Sequence, residues 1–256
     1  MVPITLALSL LVGISLGLLG GGGSILTVPI LVYVAGIPAQ SAIPMSLVVV
    51  GLVSLLGTVL YARLGLVRLR AALVFGAAGI VGALPGARLT RLLPERWLLT
   101  LFSMVMLTVA ASMARKRLEP VTRSEVEPRL AAMLLAGFGV GVLTGFLGVG
   151  GGFVIVPALL WAGRLPMKEA IGTALAAIAS SSAAGLLGHL GHVQIDWRLT
   201  TEFAAGAAAG MFAGQLGARR LRADRLRQCF AALVAAIGVV ILLQQANLLV
   251  AAGIAP

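Results

Sequence analysis

Residues 19–29 read Leu-Gly-Gly-Gly-Gly-Ser-Ile-Leu-Thr-Val-Pro and interrupt a long uncharged segment, which ends at the first charged residue, Arg63. Residues 2–36 are almost wholly apolar, and one helix of that length, at about 1.5 Å per residue, would exceed a hydrocarbon core of about 30 Å. Consecutive glycines each cost about 1 kcal/mol relative to Ala in a helix, and Pro29 disfavours helix at Val28. The stretch therefore predicts an extended segment near residues 20–28, with a short helix restarting around Pro29.

A near copy of this stretch, Leu-Gly-Val-Gly-Gly-Gly-Phe-Val-Ile-Val-Pro, occupies residues 147–157 and again interrupts an apolar run. The separation of Leu19 from Leu147, which we call the repeat offset, also relates Pro38 to Pro166. Matches at one spacing over much of a chain indicate an internal duplication. The sequence predicts an all-α polytopic membrane protein of two four-span repeats, each with a broken glycine-rich first helix. The predicted organisation is a first repeat at 1–114, a polar linker at 115–129 and a second repeat at 130–256.

Composition separates the chain from soluble proteins, with 60% hydrophobic residues, 11% charged residues and a mean hydropathy of +1.09. The 19 basic residues exceed the 8 acidic ones, but they lie in or beside short loops, as in membrane proteins whose loops contact anionic lipid. This distribution argues against a nucleic-acid partner. The single cysteine excludes an internal disulfide, and no histidine or carboxylate cluster has metal-ligand spacing, so no metal or other cofactor is expected.

The two glycine stretches are the candidate substrate site. Unpaired backbone groups in hydrocarbon cost several kcal/mol each, so irregular backbone at membrane depth lies inside protein or lines a cavity. The free N–H groups of a glycine-rich turn and the positive end of a half-helix suit an anion, although small residues also serve close helix packing. The predicted binding set is Gly20, Gly21, Gly22, Gly23, Ser24, Thr27, Pro29, Ser46, Gly148, Gly150, Gly151, Gly152, Pro157, Thr173, Ser181 and Ser182.

Two carboxylates lie near membrane depth, Glu169 at the start of the sixth span and Glu202 inside the seventh. An ionisable group there is a functional candidate. Glu202 is interpreted either as a proton-coupling residue or as an interfacial partner of Arg198. Ser182 and His189 invite comparison with an intramembrane serine hydrolase, but their separation along a helix is about 10 Å, too far for a direct hydrogen bond.

Basic loops at residues 88–96 and 219–227 correspond in the two repeats. The positive-inside rule places both loops in the cytoplasm, which predicts parallel repeats with four crossings each. Arg115, Lys116 and Arg117 then fall on the outer side, which conflicts with the same rule.

The paired glycine-then-proline segments, in a duplicated unit with a basic central linker, resemble the TauE/SafE family of sulfite exporters over nearly the whole chain. The resemblance implies a secondary transporter, in the bacterial inner membrane, for sulfite, thiosulfate, an organosulfonate or a related carboxylate. Val149 stands where the first stretch has Gly21, so the two breaks need not contribute equally. A passive anion channel, a membrane-embedded hydrolase and a structural subunit of a larger complex are the alternatives. The anion, the direction of transport, proton coupling and homo-oligomerisation stay open.

Overall fold

All regular secondary structure is helical in the part of the chain that the structure, a computed structural model, describes: residues 2–90, 95–115, 130–147, 152–189 and 195–251. The all-α prediction is confirmed. The predicted linker lies, apart from residue 115, outside the described residues. In chain order the elements are α1 (Val2–Leu19), α2 (Gly22–Pro29), a π-helical turn (Ile30–Val34), α3 (Ala39–Ala62), α4 (Leu69–Thr90), α5 (Glu95–Arg115), α6 (Leu130–Leu147), α7 (Gly152–Trp161), α8 (Met167–His189), α9 (Trp197–Arg220) and α10 (Ala223–Ala251).

Several of the described helices have the length of membrane helices, and the bundle has the surface of a membrane protein. Three apolar segments are long enough to cross a bilayer, namely Ser41–Ala62, Met167–Leu187 and Ala223–Leu243. Large apolar side chains also cover the outside of the bundle, for example Leu135 at 74% and Leu73 at 69% exposure. A surface of this kind favours hydrocarbon over water.

The two halves of the chain, α1–α5 and α6–α10, pack against each other through pairs of helices. Helix α1 packs along α9, and α6 packs along α4. A Cβ on Gly13 would overlap the backbone of Ala207, and a Cβ on Gly141, the counterpart of Gly13 at the repeat offset, would overlap the backbone of Gly79. Small residues at such contacts let membrane helices approach closely and stabilise their packing. Four pairs of counterpart helices begin at positions related by the repeat offset: α1 and α6, α3 and α8, α4 and α9, and α5 and α10.

Helices α3 and α8 pack against each other and run antiparallel. Leu47 contacts Gly185, whereas Tyr61, further along α3, contacts Gly172 near the start of α8. Because counterpart helices that pack antiparallel point in opposite directions, the prediction of parallel repeats is wrong. The ends of the counterparts α4 and α9 therefore lie on opposite faces of the bundle, and residues 91–94 of the predicted basic loop lie outside the described residues.

The first glycine stretch supplies a local reason for this reversal. Gly23 in α2 packs against Val12 and Leu16 in α1, so the chain folds back along α1 after the break. In the described part of the chain each half then has five α-helices, and an odd number of passes reverses the direction of the half that follows.

The extended segment predicted at 20–28 is also wrong, because α2 starts at Gly22 and includes Pro29 as its last residue. A helix pairs its backbone groups internally. Leaving those groups unpaired in apolar surroundings costs several kcal/mol each, which outweighs the roughly 1 kcal/mol cost of a helical glycine.

Candidate functional site

The first glycine stretch makes a short turn, Gly20-Gly21, between α1 and α2. The Gly20 N–H donates to the Leu16 carbonyl at 2.8 Å, which closes the last turn of α1. Gly20 then has a φ of +74°, the left-handed conformation in which glycine commonly ends a helix. Helix α2 begins at Gly22 without a side-chain cap. Residues 19–25 are all buried, so this irregular backbone lies inside the protein.

The two glycine stretches meet in the core. A Cβ on Gly21 would overlap the Gly152 carbonyl, so the two backbones are in direct contact. A Cβ on Gly152 would lie 2.6 Å from the Ser24 Oγ. Ser24 and Gly152 correspond at the repeat offset, so the contact joins equivalent positions of the two halves. We call this contact, made by Gly21, Ser24 and Gly152, the glycine junction; Gly148, Gly150 and Gly151 lie outside the described residues.

The N-terminal ends of two helices, α2 and α7, lie at the glycine junction. The first N–H groups of a helix have no partner within it, and the helix dipole adds about half a positive charge there. Helices α2 and α7 contain no charged residue, so their contribution to the field comes from the backbone. Backbone donors of this kind bind anions, and more strongly where water is excluded.

Hydroxyl groups of α2 bond to the backbone beside the glycine junction. Ser24 Oγ donates to the Gly21 carbonyl at 2.8 Å, and Thr27 Oγ1 donates to the Gly23 carbonyl at 3.1 Å. Both side chains are buried. These bonds hold the first turn of α2 in place, and a direct contact of Ser24 or Thr27 with an anion stays a prediction.

Tyr61, which sequence reasoning missed, holds the end of α1. Its side chain is 1% exposed, and its hydroxyl donates to the Gly17 carbonyl at 2.7 Å. Because α1 stops at Leu19, this carbonyl lacks the N–H that a continuous helix would supply from the fourth residue onward. Tyr61 supplies a donor from α3. The sequence signal was a tyrosine inside an apolar span, since a buried tyrosine hydroxyl needs a hydrogen-bond partner.

The remaining serines of the predicted binding set make contacts that do not reach the glycine junction. Ser46 and Ser181 each donate to a backbone carbonyl one turn earlier in their own helices, at 2.7 Å and 3.1 Å. Ser182 packs against Gly51 between α8 and α3. Pro157 lies buried within α7.

An ion pair with one buried and one half-exposed partner joins the two halves at the start of α8. Arg68 Nε lies 2.8 Å from Glu169 Oε2, and the Glu169 side chain is 4% exposed whereas that of Arg68 is 51% exposed. The backbone N–H of Arg68 also donates to Thr173 Oγ1 at 3.1 Å. Arg68 ends the turn formed by residues 63–68, which we call the α3–α4 turn. Thr173, predicted as a binding residue, therefore contacts this turn.

Glu202 pairs with Arg198 along the outside of α9. Arg198 Nε lies 3.2 Å from Glu202 Oε1, and the side chains are 90% and 37% exposed, respectively. An exposed pair four residues apart on a helix contributes about 0.3–0.5 kcal/mol in water. The contact agrees with the interpretation of Glu202 as a partner of Arg198, and a coupling role stays a prediction.

Comparison with known proteins identifies the family. The chain matches the profile of the family described as Sulfite exporter TauE/SafE over residues 5–241. It is 37% identical over 239 residues to a probable membrane transporter protein of Xylella fastidiosa, with 91% of each chain covered. It is 28% identical to the probable membrane transporter protein YdhB of Bacillus subtilis, over 80% of this chain and 85% of that one.

A probable membrane transporter protein of Methanocaldococcus jannaschii is 29% identical, over 74% of this chain and 73% of the relative. No solved structure matches the chain significantly. The names of the family and of these relatives indicate membrane transporters, not enzymes. The chain belongs to the TauE/SafE sulfite exporter family.

Proposed function

We propose that this protein is a secondary transporter that binds a small anion at the glycine junction. The observation that carries the proposal is the contact between Gly21 and Gly152, which brings the N-terminal ends of α2 and α7 together in the core. Backbone N–H groups attract negative charge without a buried cation. A transporter must release its substrate again, and fixed partial charges bind less tightly than a full opposite charge would.

The expected affinity is moderate. Each helix terminus contributes up to about 2 kcal/mol, and each hydrogen bond to a charged group about 1.5–3 kcal/mol, before the cost of removing water from the anion is subtracted. A net binding free energy of about −4 to −8 kcal/mol corresponds to a Kd between millimolar and micromolar. This range permits turnover.

The chemistry favours an oxyanion over a halide. Several oxygens on one centre can accept N–H groups from both helix ends at once, whereas one halide ion has no such separated acceptors. Sulfite, thiosulfate, organosulfonates and related carboxylates all have this form. We propose this class as the substrate, in agreement with the family to which the chain belongs.

The arrangement of charge supports one orientation in the membrane. The end of α9 lies beside the start of α8, because Lys168 Nζ donates to the Arg219 carbonyl at 3.1 Å. We call this side of the bundle the basic face; it includes Arg63, Arg68, Arg70, Arg164, Lys168, Arg219, Arg220, Arg222 and Arg225.

We propose that the basic face is cytoplasmic, following the positive-inside rule, and that the membrane is the bacterial inner membrane. A negative-inside potential then favours anion export by about 2.3 kcal/mol per charge for each 100 mV. Halves of opposite direction that meet at broken helices are a known framework for alternating access to one site.

Flux of labelled sulfite and thiosulfate in proteoliposomes tests the proposal. Gly21→Ala and Gly152→Ala insert a methyl group into the glycine junction, whereas Gly139→Ala adds the same group where no neighbouring atom lies within 4 Å. We expect the flux of Gly21→Ala and Gly152→Ala to fall by more than about tenfold. A tenfold loss corresponds to about 1.4 kcal/mol of binding free energy at the site. We expect Gly139→Ala to stay within about twofold of the parent.

Two further results decide the interpretation. Saturation of the flux with sulfite concentration separates a transporter from a passive channel. If Gly21→Ala and Gly152→Ala both fold, as judged by thermal unfolding in detergent, and both transport normally, the glycine junction is not the anion site.

A further inference from the structure

The α3–α4 turn is attached to the first two turns of α8 by three contacts. The Arg68 side chain pairs with Glu169, and the Arg68 N–H donates to Thr173. The Leu66 carbonyl lies so close to Gly172 that a Cβ there would be 2.5 Å from the carbonyl oxygen. The turn belongs to the first half and α8 to the second, so these contacts hold the two halves together at the basic face.

The same part of α8 touches the glycine turn that precedes α2. A Cβ on Gly20 would lie 2.9 Å from the Ile171 Cα, so Ile171 packs directly on the left-handed residue of the break. Ile171 is fully buried. If the α3–α4 turn moves away from α8, the packing that covers this break from the basic face is loosened.

The opposite face lacks the corresponding residues. At the repeat offset, Arg68 corresponds to Asp196 and Glu169 corresponds to Ser41. An aspartate and a serine cannot form an ion pair with each other. The duplication that relates the two halves therefore does not repeat this contact.

On the opposite face, the described charged groups near the start of α9 bond within that helix instead. The Asp196 side chain accepts from the Leu199 N–H at 3.1 Å and caps α9. Arg198 pairs with Glu202, also on α9. Both contacts lie within the second half, so neither forms an ion pair between the two halves at these positions.

We propose that Arg68 and Glu169 form a gate on the basic face, and that access to the glycine junction from this face requires the ion pair to break. The proposal rests on the proposed transport function and names the residues that control one side of its pathway. Breaking the pair is costly because Glu169 is almost completely buried, and a buried charge without its partner is unfavourable. The opposite face opens without an ion pair at the counterpart positions.

Side-specific cysteine labelling tests the gate without any substrate. The reporter is Ser24→Cys at the glycine junction, in a Cys229→Ser background that removes the exposed native thiol. A membrane-impermeant maleimide is added to the basic face or to the opposite face, in vesicles of known orientation. We expect Glu169→Gln and Arg68→Gln each to raise the labelling rate from the basic face by about threefold to tenfold, an estimate between the small effect of an exposed ion pair and the large effect of a buried one.

A matched control is the neighbouring residue Lys168. Lys168→Gln also removes one charge at the start of α8, but its Nζ bonds to the Arg219 carbonyl in the same half. We expect its labelling rate to equal that of the parent. The double variant Arg68→Gln with Glu169→Gln should label no faster than the faster single variant, because both changes break one contact.

Equal labelling of the parent and both single variants from the basic face would overturn the gate. So would a Ser24→Cys reporter that reacts from neither face in any variant, since an open gate must expose it. Arg68→Gln, at a half-exposed side chain, keeps the test informative if Glu169→Gln does not fold. Altered labelling with no sulfite flux in the parent would retain the gate and reject the proposed substrate.

Discussion

Removal of one oxygen atom from Tyr61 tests whether the end of α1 depends on its hydrogen bond. Tyr61→Phe deletes the hydroxyl that donates to the Gly17 carbonyl at 2.7 Å and leaves the ring in place. The side chain is 1% exposed, so water cannot readily replace the donor. A buried acceptor that loses its partner costs about 1–3 kcal/mol, and no apolar volume is lost to add a cavity cost.

The expected effect appears in stability and in transport. For a chain of about 150–250 residues, each kcal/mol lowers the midpoint of thermal unfolding by about 2–4 °C. We therefore expect Tyr61→Phe to unfold at a temperature lower by roughly 2–12 °C in detergent. Gly17 lies one turn before the glycine break, so we also expect a weaker apparent affinity for sulfite in proteoliposomes.

The other tyrosine of the chain, Tyr33, provides the control. Tyr33 lies in the π-helical turn and is 82% exposed, so Tyr33→Phe removes the same atom without leaving a buried acceptor. Its unfolding temperature should match that of the parent. If Tyr61→Phe and Tyr33→Phe unfold at the same temperature and transport equally, the Tyr61 hydrogen bond does not stabilise the break.

Two further predictions concern direction and coupling. Cysteines at Thr90 and Arg220, the last residues of α4 and α9, should react with an impermeant thiol reagent from opposite sides of the membrane in a Cys229→Ser background; reaction from one side only would restore the parallel arrangement. Glu202→Gln keeps the shape of the side chain and removes its titration, so if Glu202 carries a proton this variant should bind sulfite but lose the response of flux to a pH gradient. An unchanged response would leave Glu202 as the partner of Arg198 alone.

The positions of the helices could be predicted from the sequence because they follow from local properties. Apolar runs at residues 42–62, 170–190 and 199–218, bounded by charge or proline, predict α3, α8 and α9 to within a few residues of their ends. The first glycine stretch marked the place where the first apolar run breaks, since consecutive glycines are the weakest part of any helix. Spacing alone related the two halves, through pairs such as Ser24 and Gly152.

The course of the chain at the break could not be predicted in the same way. The cost of helical glycine predicts a weak point, but whether the chain continues or turns back depends on what packs beside it. Here the contact of Gly23 with Val12 decides the matter, and it depends on the close approach of two helices. The Arg68–Glu169 pair was missed for a similar reason, since its partners are distant in sequence and belong to different halves.

The odd number of α-helices that the structure describes in each half has a consequence for how the chain enters the membrane. The ends of the counterparts α4 and α9 lie on opposite faces, so basic residues at these two ends would have opposing effects on insertion. We expect the orientation to depend on charges that the duplication did not keep, such as Arg63 and Arg68, which correspond to Gly191 and Asp196. Exchanging these arginines of the α3–α4 turn for neutral residues should then weaken the preference for one orientation during insertion.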